Sequence, residues 1–457
     1  MEVKEKIFRE LSEKKGFDEK YRKTISHNIK QYEKAVDRGV KFFSSLEEAK
    51  NCASQVKSYV LNNLDKLLIE FEKNAVDNGI VVLWARNSRE AIDYLLKIVE
   101  EEKAELVVKS KSMISEELEI NSELENKGVR SVETDLGEFI VQQAGEKPFH
   151  LLTPAMHKSK EDVAALFREK YDIPENSTPE EITKFVRKVL REEFIKADIG
   201  ITGANFLVAD TGSIALTENE GNGLMTLAWP KVHVAISGIE KLVPSVTDLD
   251  LFWNIVSAIG TGQNITAYNS VISGPRRDKE ADGPEKVYLI LFDGGRTRLF
   301  DQKDHHEALK CIRCGACLNY CPVYRTIGGH TYGTVYSGPI GSVISMYLEN
   351  TEDTGFLNFA SSLCGKCTEV CPVKIPLHRM LLLNRKKLVE SGKKGQIEKT
   401  FYKYYKRFML KRKRLDRVGA SWKNRAMKSV GSKAWGERRK PPVFARESFN
   451  RRWRNRG

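Results

Sequence analysis

The sequence has few of the features that place a chain in a membrane or outside the cell. None of its uninterrupted apolar runs approaches the roughly 18 residues that a membrane-spanning helix needs, and Val287–Phe292 is among the longest. The segment that begins at Met1 alternates acidic and basic side chains and lacks the apolar stretch of a secretory signal peptide. We therefore expect a cytoplasmic protein.

Short motifs of several large enzyme classes are also missing. The 457 residues contain neither the G-x-G-x-x-G dinucleotide fingerprint nor the G-x-x-x-x-G-K-[ST] phosphate loop, and no H-E-x-x-H zinc motif. The composition, 41% apolar and 30% charged, is nevertheless rich enough in apolar side chains for packed cores. A chain of this length predicts about two to four domains.

Charge is distributed unevenly along the chain. Residues 401–457 contain 20 Lys and Arg against 3 Asp and Glu, a net charge of +17, whereas the whole chain carries +13 and the other 400 residues therefore carry −4. Residues 396–457 are called the basic tail below. Within it, Phe401–Gly457 is predicted to be partly helical and to dock on an acidic partner or an anionic membrane surface. A solvated extension is the alternative.

Helical and α/β segments precede the tail. Residues 1–78 carry apolar side chains at helical spacing, with a capping box at Ser45 and Glu48, and predict helices. Cys52 falls among these apolar positions and is predicted to be buried. From residue 79 to 296, short β-branched runs alternate with helical segments, which predicts an α/β domain with a largely parallel sheet. Residues 303–395 form a separate, mainly helical cysteine-containing segment.

Individual elements of the α/β domain can also be placed. Thr178, Pro179 and Glu181 predict the start of a helix that reaches about Lys196. Other helices are predicted over 88–102 and 112–126, and in the cysteine segment around 339–348 and 377–390. The predicted strands lie at 80–85, 105–110, 128–132, 149–154, within 197–216, at 231–238 and at 286–292.

Two polar regions of the α/β domain are candidate site residues. Glycine turns follow Ile199–Thr202 and recur at Asp210–Ser213, and polar side chains fill Thr217–Gly223. Because ligands bind beyond the carboxyl ends of strands in open α/β sheets, these loops are predicted to wall a pocket. Charged residues after the second and third strands either orient a small anion, act in acid/base chemistry or form a solvated rim; they are Lys109, Lys111, Glu133, Asp135 and Glu138.

Seven of the eight cysteines lie within 61 residues, which argues for a metal centre in a reducing compartment. The run from Cys311 to Pro322 reads C-x2-C-x2-C-x3-C-P, the pattern in which three thiolates hold one iron–sulfur cubane and the fourth reaches a second cluster. Zinc is the alternative, but structural zinc sites usually use paired knuckles.

The second cysteine motif, residues 361–372, has the same spacing but carries Ser361 in place of the first cysteine. Exchange of the fourth ligand between motifs assigns two sets: Cys311, Cys314, Cys317 and Cys371 to the first 4Fe-4S cluster, and Cys321, Cys364 and Cys367 to the second. The second set lacks a fourth thiolate. It predicts either a three-iron cluster, or a four-iron cluster completed by Ser361 or water, in electron transfer, or an open iron that binds substrate.

His330 lies between the two motifs and has two interpretations. It is either a proton relay or hydrogen-bond donor that tunes a cluster, or a histidine that packs between helices.

Five separated blocks of the sequence resemble the lactate utilization protein B family. The blocks agree in order and spacing and lie at 109–121, 133–142, 198–223, 311–341 and 361–378, within a match that runs from about residue 20 to 395. The basic tail matches weakly, at 434–453. The resemblance implies a LUD domain, similar to the sugar-isomerase and CoA-transferase fold, fused to a two-cluster ferredoxin-like domain. It also implies that Ser361 belongs to the family's own pattern.

The same resemblance implies a function in the oxidation of L-lactate to pyruvate. With companion lactate-utilisation proteins, the chain would carry electrons to an acceptor that the sequence does not identify, as part of a complex rather than as a stand-alone enzyme. The cluster ligands carry over to the seven cysteines, whereas no catalytic role carries over to the LUD pocket. Two alternatives stay open: a LUD domain that is itself catalytic on the hydroxyacid at the open cluster, and a nucleic-acid-binding redox sensor suggested by the basic tail. We expect no nucleic-acid partner.

Overall fold

The computed structural model describes residues 2–174, 177–349, 351–391, 396–431 and 440–456. The chain forms two compact units, Met1–Arg385 and Lys386–Gly457. Among the described residues, no helix combines the length and the apolar character needed to cross a bilayer.

Four helices open the first unit. They are α1 (Glu2–Gly16), α2 (Glu19–Gly39), α3 (Leu46–Asn62) and α4 (Leu64–Asp77). The Ser45 hydroxyl accepts a hydrogen bond from the Glu48 amide at 3.3 Å and so caps α3, as the sequence predicts. The predicted burial of Cys52 is wrong, because its side chain is exposed. The buried stripe of α3 passes through Ala53 and Val60, and Cys52 lies one residue, or about 100° of helix rotation, to its side.

In its described residues, 79–174 and 177–296, the α/β region contains ten strands, which form two sheets. In chain order they are β1 (Ile80–Ala85), β2 (Leu106–Lys109), β3 (Arg130–Glu133), β4 (Ile199–Gly203), β5 (Phe206–Val208), β6 (Ser213–Glu218), β7 (Val232–Gly238), β8 (Leu242–Val243), β9 (Tyr268–Ile272) and β10 (Lys286–Phe292). The main sheet has the order β1-β10-β7-β4-β2-β3 and is parallel throughout. The smaller sheet, β8-β5-β6-β9, is mixed. The predicted α/β domain with a largely parallel sheet is confirmed.

Helices cover both faces of the main sheet. They are α5 (Ser88–Glu101), α6 (Met113–Glu117), α7 (Ile120–Asn126), α8 (Leu136–Gln143), α9 (Lys160–Tyr171), α10 (Pro179–Lys196) and α11 (Asn222–Ala228). The next helix, α12 (Asp248–Gly260), packs on α2 and α3 instead. Alternate residues of β10 enter opposite cores: Ile290 packs with α5 and α7, whereas Leu289 packs with α4 and the smaller sheet. The predicted helix over 112–126 is interrupted at Glu119, whose φ of 51° is left-handed.

The predicted strand at 149–154 is wrong, because this segment is irregular. Its apolar side chains are buried, but they do not join the sheet. The Phe149 ring packs on Tyr324 and His157, and the Phe149 carbonyl accepts a hydrogen bond from the Tyr324 hydroxyl at 3.0 Å. The apolar run is therefore used for contact with the cysteine-containing segment.

Short helices carry the cysteine-containing segment, and further helices occur in the second unit. In the first unit they are α13 (Arg296–Phe300), α14 (Ala316–Asn319), α15 (Pro322–Ile327), α16 (Gly338–Leu348), α17 (Thr351–Thr354) and α18 (Lys366–Glu369), followed by α19 (Leu377–Glu390). The second unit contains α20 (Gln396–Met409), α21 (Arg412–Arg417), α22 (Ala420–Ala426) and α23 (Phe449–Arg454). Residues 432–439, part of the weak tail match, lie outside the described residues. Docking of the basic tail stays a prediction.

Gly200 in β4 allows α11 to pack closely on the main sheet. A β-carbon at Gly200 would overlap the carbonyl oxygen of Thr226 in α11, and a backbone atom cannot swing away as a flexible side chain can. We expect Gly200→Ala to destabilise the protein by about 1–3 kcal/mol, the usual cost of overpacking. Gly16→Ala is the control, because its new methyl group would meet only Thr326 Cγ2 at 3.8 Å. Thermal unfolding of both variants measures the difference, and equal melting temperatures would contradict this packing.

Candidate iron–sulfur centres and the adjoining pocket

The two cysteine motifs fold into turns with the same backbone conformation. Arg313 and Leu363, each immediately before a cysteine, have left-handed φ values of 60° and 57°. Gly315 and Gly365, each immediately after that cysteine, have φ values of 72° and 82°. A left-handed conformation is costly for arginine and leucine, so its recurrence at matching positions indicates that both turns are built for one purpose.

The seven cysteines fall into two groups in the first unit. Cys311, Cys314, Cys317 and Cys371 line one small cavity, together with Leu151, Ile312, Arg313 and Ile340. Burial raises the pKa of Cys371 to about 12, and charge on Cys311 contributes. The second group is Cys321, Cys364 and Cys367, where burial and the other two sulfurs raise the pKa of Cys367 to about 11. Four sulfurs around one cavity fit the donor set of a cubane cluster.

Ser361 occupies the position where a fourth cysteine of the second group would stand. Its hydroxyl oxygen accepts a hydrogen bond from the Leu363 amide at 3.1 Å, and its carbonyl accepts one from Arg385 Nη2 at 2.8 Å. The serine side chain thus supports the left-handed turn from within.

His330 is held by packing and by a main-chain hydrogen bond. Its Nε2 lies 2.7 Å from the Lys147 carbonyl oxygen, which can only accept, so Nε2 carries the proton. The ring also meets Phe149 edge-on at 5.2 Å between centroids. These contacts favour the packing interpretation over a hydrogen bond to a cluster.

A buried ionic network lies beside the first cysteine group. Arg296 donates two hydrogen bonds to the Glu117 carboxylate, at 3.1 and 3.0 Å, and a third to Glu240 Oε2 at 2.7 Å. Arg313 Nη2 lies 3.4 Å from the other Glu240 oxygen, and its guanidinium stacks 4.6 Å from the centre of the Tyr336 ring. Burial would raise the pKa of Glu240, but Arg296 and Arg313 outweigh it and hold the pKa at about 2.

Two lysines add to this positive environment. Lys57 is buried and donates to the Glu240 and Leu242 carbonyl oxygens at 2.7 and 3.0 Å. Burial lowers the pKa of Lys57 to about 7, and burial together with Arg313 lowers the pKa of Lys241 to about 8. Because Cys311 is among the charged neighbours of both lysines, negative charge at that sulfur would favour their protonated forms.

A cavity of about 280 Å³ lies beyond the carboxyl ends of β2, β4 and β7. Its charged lining residues are Lys111, Asp135, Glu218, Glu220, Glu240, Lys241 and Arg313. Three residues, Leu151, Ile312 and Arg313, line both this cavity and the cavity of the first cysteine group. The α/β pocket therefore adjoins the four-cysteine group.

The loops predicted to form the pocket wall are separated in the structure. Residues of the Thr217–Gly223 loop line the cavity, as predicted. Burial raises the pKa of Glu218 there, although the amides of Gly223 and Leu224 each donate to its carboxylate at 2.7 Å. The Asp210–Ser213 turn is not part of the wall: its backbone packs against α4, where Asn74 Nδ2 donates to the Asp210 carbonyl at 3.1 Å.

The charged residues after β2 and β3 do not form a solvated rim. Lys109 is fully buried, and its ammonium lies 2.7 Å from Glu133 and 4.0 Å from Glu138. Burial and the neighbouring Glu133 raise the pKa of Glu138. Lys111 and Asp135, in contrast, line the cavity. The rim interpretation fails because α6 and α8 cover the ends of these strands.

Several residues of the site carry no sequence signal. Lys57, Glu117, Glu240 and Arg296 come from four separate segments, and only the tertiary fold brings them together. Arg313 could be predicted as a site residue from the sequence, because it lies inside the first cysteine motif.

The fold and the cysteine turns define an α/β domain joined to a helical iron–sulfur module, and two family models match these parts of the chain. Residues 68–292 match the LUD domain family, and residues 307–375 match the 4Fe-4S dicluster domain family. A crystal structure of a DUF162 family protein from Deinococcus radiodurans is similar at a TM-score of 0.29 and 14% identity, covering 50% of this chain and 98% of that one.

Curated relatives extend the similarity over most of the chain. Lactate utilization protein B of Bacillus velezensis is 43% identical over 352 residues, 77% of this chain and 74% of the relative. The protein of the same name from Bacillus cytotoxicus is 41% identical over 415 residues, 88% and 87% of the two chains. The chain belongs to the lactate utilization protein B family. The predicted family is thereby confirmed.

The buried Lys109 cluster generates a stability prediction. Lys109→Met would leave Glu133 and Glu138 buried without their cation, and breaking a buried pair in this way costs about 3–5 kcal/mol. In the variant, the pKa of Glu138, which burial and Glu133 already raise, would lose the lowering effect of Lys109 and rise further in the folded state. Stability would therefore be greatest below the pKa of the unfolded carboxyl groups and would be lost as the pH rises.

Chemical denaturation of Lys109→Met at neutral and at mildly acidic pH measures this effect. Lys97→Met is the matched control, because its exposed ammonium lies 3.8 Å from Glu101 and should contribute little. A Lys109→Met protein as stable as the control variant at neutral pH would contradict the assigned charge states.

Proposed function

We propose that the chain is an iron–sulfur electron carrier in the oxidation of L-lactate to pyruvate, working in a complex with companion lactate-utilisation proteins. Cys311, Cys314, Cys317 and Cys371 would hold the first 4Fe-4S cluster. Cys321, Cys364 and Cys367 would hold the second, whose remaining corner is completed by Ser361 or water, or lacks an iron. The observation that carries the proposal is the grouping of seven sulfurs into these two sets. A cytoplasmic location belongs to the same proposal.

The surroundings of the first set suit a negatively charged redox centre. A bound cubane supplies one-electron chemistry and, with four thiolate ligands, carries net negative charge. Lys57, Lys241 and Arg313 place positive charge beside Cys311. Leu151 and Ile340 cover the same cavity with apolar surface and limit the access of water. Positive charge beside an iron–sulfur cluster, like hydrogen bonds to its sulfurs, favours the reduced form of the cluster.

A second candidate function is favoured by the wall that the two cavities share. A hydroxyacid bound in the α/β cavity would place its carboxylate near Lys241 and Arg313, next to the first cysteine group. Converting a 2-hydroxyacid to a 2-oxoacid releases two electrons and two protons, and each of the two proposed clusters would take one electron. Glu218, whose pKa is raised by burial, is suited to accept one proton, and the other would pass to water. This geometry favours the four-cysteine group, rather than the open second one, as the neighbour of substrate.

Replacement of one cysteine tests the proposed ligand sets. Cys317→Ser should lose most of the iron and sulfide of the first cluster and lower the melting temperature, because metal-binding free energy contributes to folding. Cys52→Ser is the control, because Cys52 is exposed and far in sequence from both motifs. Iron and sulfide analysis of protein purified without oxygen measures both variants. Equal iron loss in the two variants would overturn the assignment.

Addition of L-lactate to the cluster-loaded protein distinguishes the two candidate functions. An electron carrier should keep its visible cluster absorption with lactate alone and lose it only when the companion proteins are present. If the LUD domain is catalytic, lactate alone should reduce the clusters, and Lys241→Met should raise the lactate concentration required by about tenfold or more. Lys231→Met, an exposed lysine at the opposite end of β7, should leave that concentration unchanged. If lactate reduces the protein neither alone nor with its companions, both candidates fail.

A further inference from the structure

A cluster of potential metal ligands lies away from the cysteines and the α/β cavity. Glu146 lies in the loop after α8, His157 in the loop before α9, and His330 in the turn after α15. Ligand atoms offered by the three residues all lie within 4.8 Å of one another. The first two belong to the matched LUD region and the third to the matched dicluster region. The cluster therefore joins the two parts of the first unit.

Hydrogen bonds already orient both imidazole rings. His157 Nε2 lies 2.6 Å from a carboxylate oxygen of Glu146, and His330 Nε2 lies 2.7 Å from the Lys147 carbonyl oxygen. The Lys147 carbonyl favours a proton on Nε2 of His330, which leaves Nδ1 of that ring with a free electron pair. Metal-binding histidines typically donate their second ring N–H to a carboxylate or a main-chain carbonyl in this way. Between His157 and Glu146, a metal ion would take the place of the proton that Nε2 and the carboxylate share, and the buried Nδ1 of His157 has no hydrogen-bond partner in the described part of the chain.

Packing fixes the relative position of the rings. Phe149 stacks on His157 at 4.9 Å between centroids and meets His330 edge-on at 5.2 Å. The two imidazoles are 4.8 Å apart, with an angle of 69° between their planes. A ligand pair held by an aromatic side chain loses little conformational freedom when a metal binds.

The charge states of the three residues suit a cation. Burial lowers the pKa of His157 to about 4 and also lowers the pKa of His330, so both rings are neutral at physiological pH. Burial would raise the pKa of Glu146, but Lys158 and His157 outweigh it and keep the carboxyl group ionised. Lys158 Nζ lies 2.7 Å from Glu146 Oε1, a competing positive charge that the metal must tolerate.

We propose that Glu146, His157 and His330 bind one divalent transition-metal ion, with Zn²⁺ as the best match. Two imidazoles and one carboxylate are an established donor set for Zn²⁺ and for other first-row divalent ions. The ion ties the 146–158 loop of the α/β region to the turn after α15. The site is independent of the iron–sulfur clusters and of the function proposed above.

Zn²⁺ itself is the probe, added to the full chain with its clusters loaded under anaerobic conditions. Competition with a chromophoric chelator gives the number of Zn²⁺ ions bound and their affinity, and iron analysis of each sample shows that the clusters are intact. The wild-type protein should bind one more Zn²⁺ than the His157→Gln/His330→Gln variant at equal iron content. The control His27→Gln, which alters an exposed histidine, should behave as wild type.

Two single substitutions at the partly exposed carboxylate keep the proposal testable if the double variant does not fold. Glu146→Gln removes the anionic ligand and should weaken Zn²⁺ binding by about tenfold to a hundredfold. Lys158→Met removes the competing ammonium and should strengthen binding, whereas a site elsewhere in the protein would respond to neither change. Equal Zn²⁺ stoichiometry and affinity in wild type, Glu146→Gln and Lys158→Met would overturn the proposal.

Discussion

The buried carboxylate of Glu240 determines where the parts of the first unit meet. It follows β7 and is shared by Arg296, which follows β10, and Arg313, which lies inside the first cysteine motif. Removing one partner of a buried ion pair costs about 3–5 kcal/mol, so the three side chains constrain one another strongly. Because one arginine comes from the α/β region and the other from a cysteine turn, the ion pairs position the first cysteine group at the carboxyl ends of the parallel strands.

The position of the first cysteine group gives its cavity and the α/β cavity one shared wall. Ligand sites in parallel sheets form at the carboxyl ends of strands because loops and helix termini converge there. Here one side of the wall carries four sulfurs, and the other carries both cationic and acidic side chains. Arg313 serves both sides: it neutralises Glu240 and lines each cavity. A change at this residue would therefore affect ion pairing, the cysteine turn and the pocket together.

Local pattern was sufficient to predict most elements of the fold. The strands at Ile80–Ala85 and Lys286–Phe292 were predicted at these limits because both are largely apolar runs. Only β10 is buried along most of its length, as expected of a central parallel strand, whereas β1 is an edge strand with exposed Val81 and Trp84. The same rule predicted a strand at 149–154 that is not formed, because this apolar run is buried by the aromatic rings of a distant segment rather than within the sheet. The predicted burial of Cys52 is wrong because the apolar pattern gives only the helical periodicity. The exact edge of the buried stripe depends on the residues that pack against it.

The residues of the site also fall into two classes, those that a local sequence pattern predicts and those that only long-range contacts bring together. Cysteine spacing is local, and it alone predicts two sets of cluster ligands. The environment of Lys109 was not predictable, since a lysine at a strand end looks the same in sequence whether three carboxylates surround it or water does. The ionic network around Glu240 unites residues as far apart as 57 and 313 in the chain, and no single-sequence pattern reports such pairs.

The crossed arrangement of the cysteines has a consequence for cooperativity. Cys321 belongs to the first motif in sequence but neighbours Cys364 and Cys367, whereas Cys371 belongs to the second motif and lines the cavity of the first group. Each sulfur group therefore needs both turns in place, and 42 residues separate Cys321 from Cys364. Closing this loop costs conformational entropy a single time, and the closed loop brings together the sulfurs of both groups. Formation of either group thus favours the other, and the intervening segment, which includes α16 and His330, must fold before either group is complete.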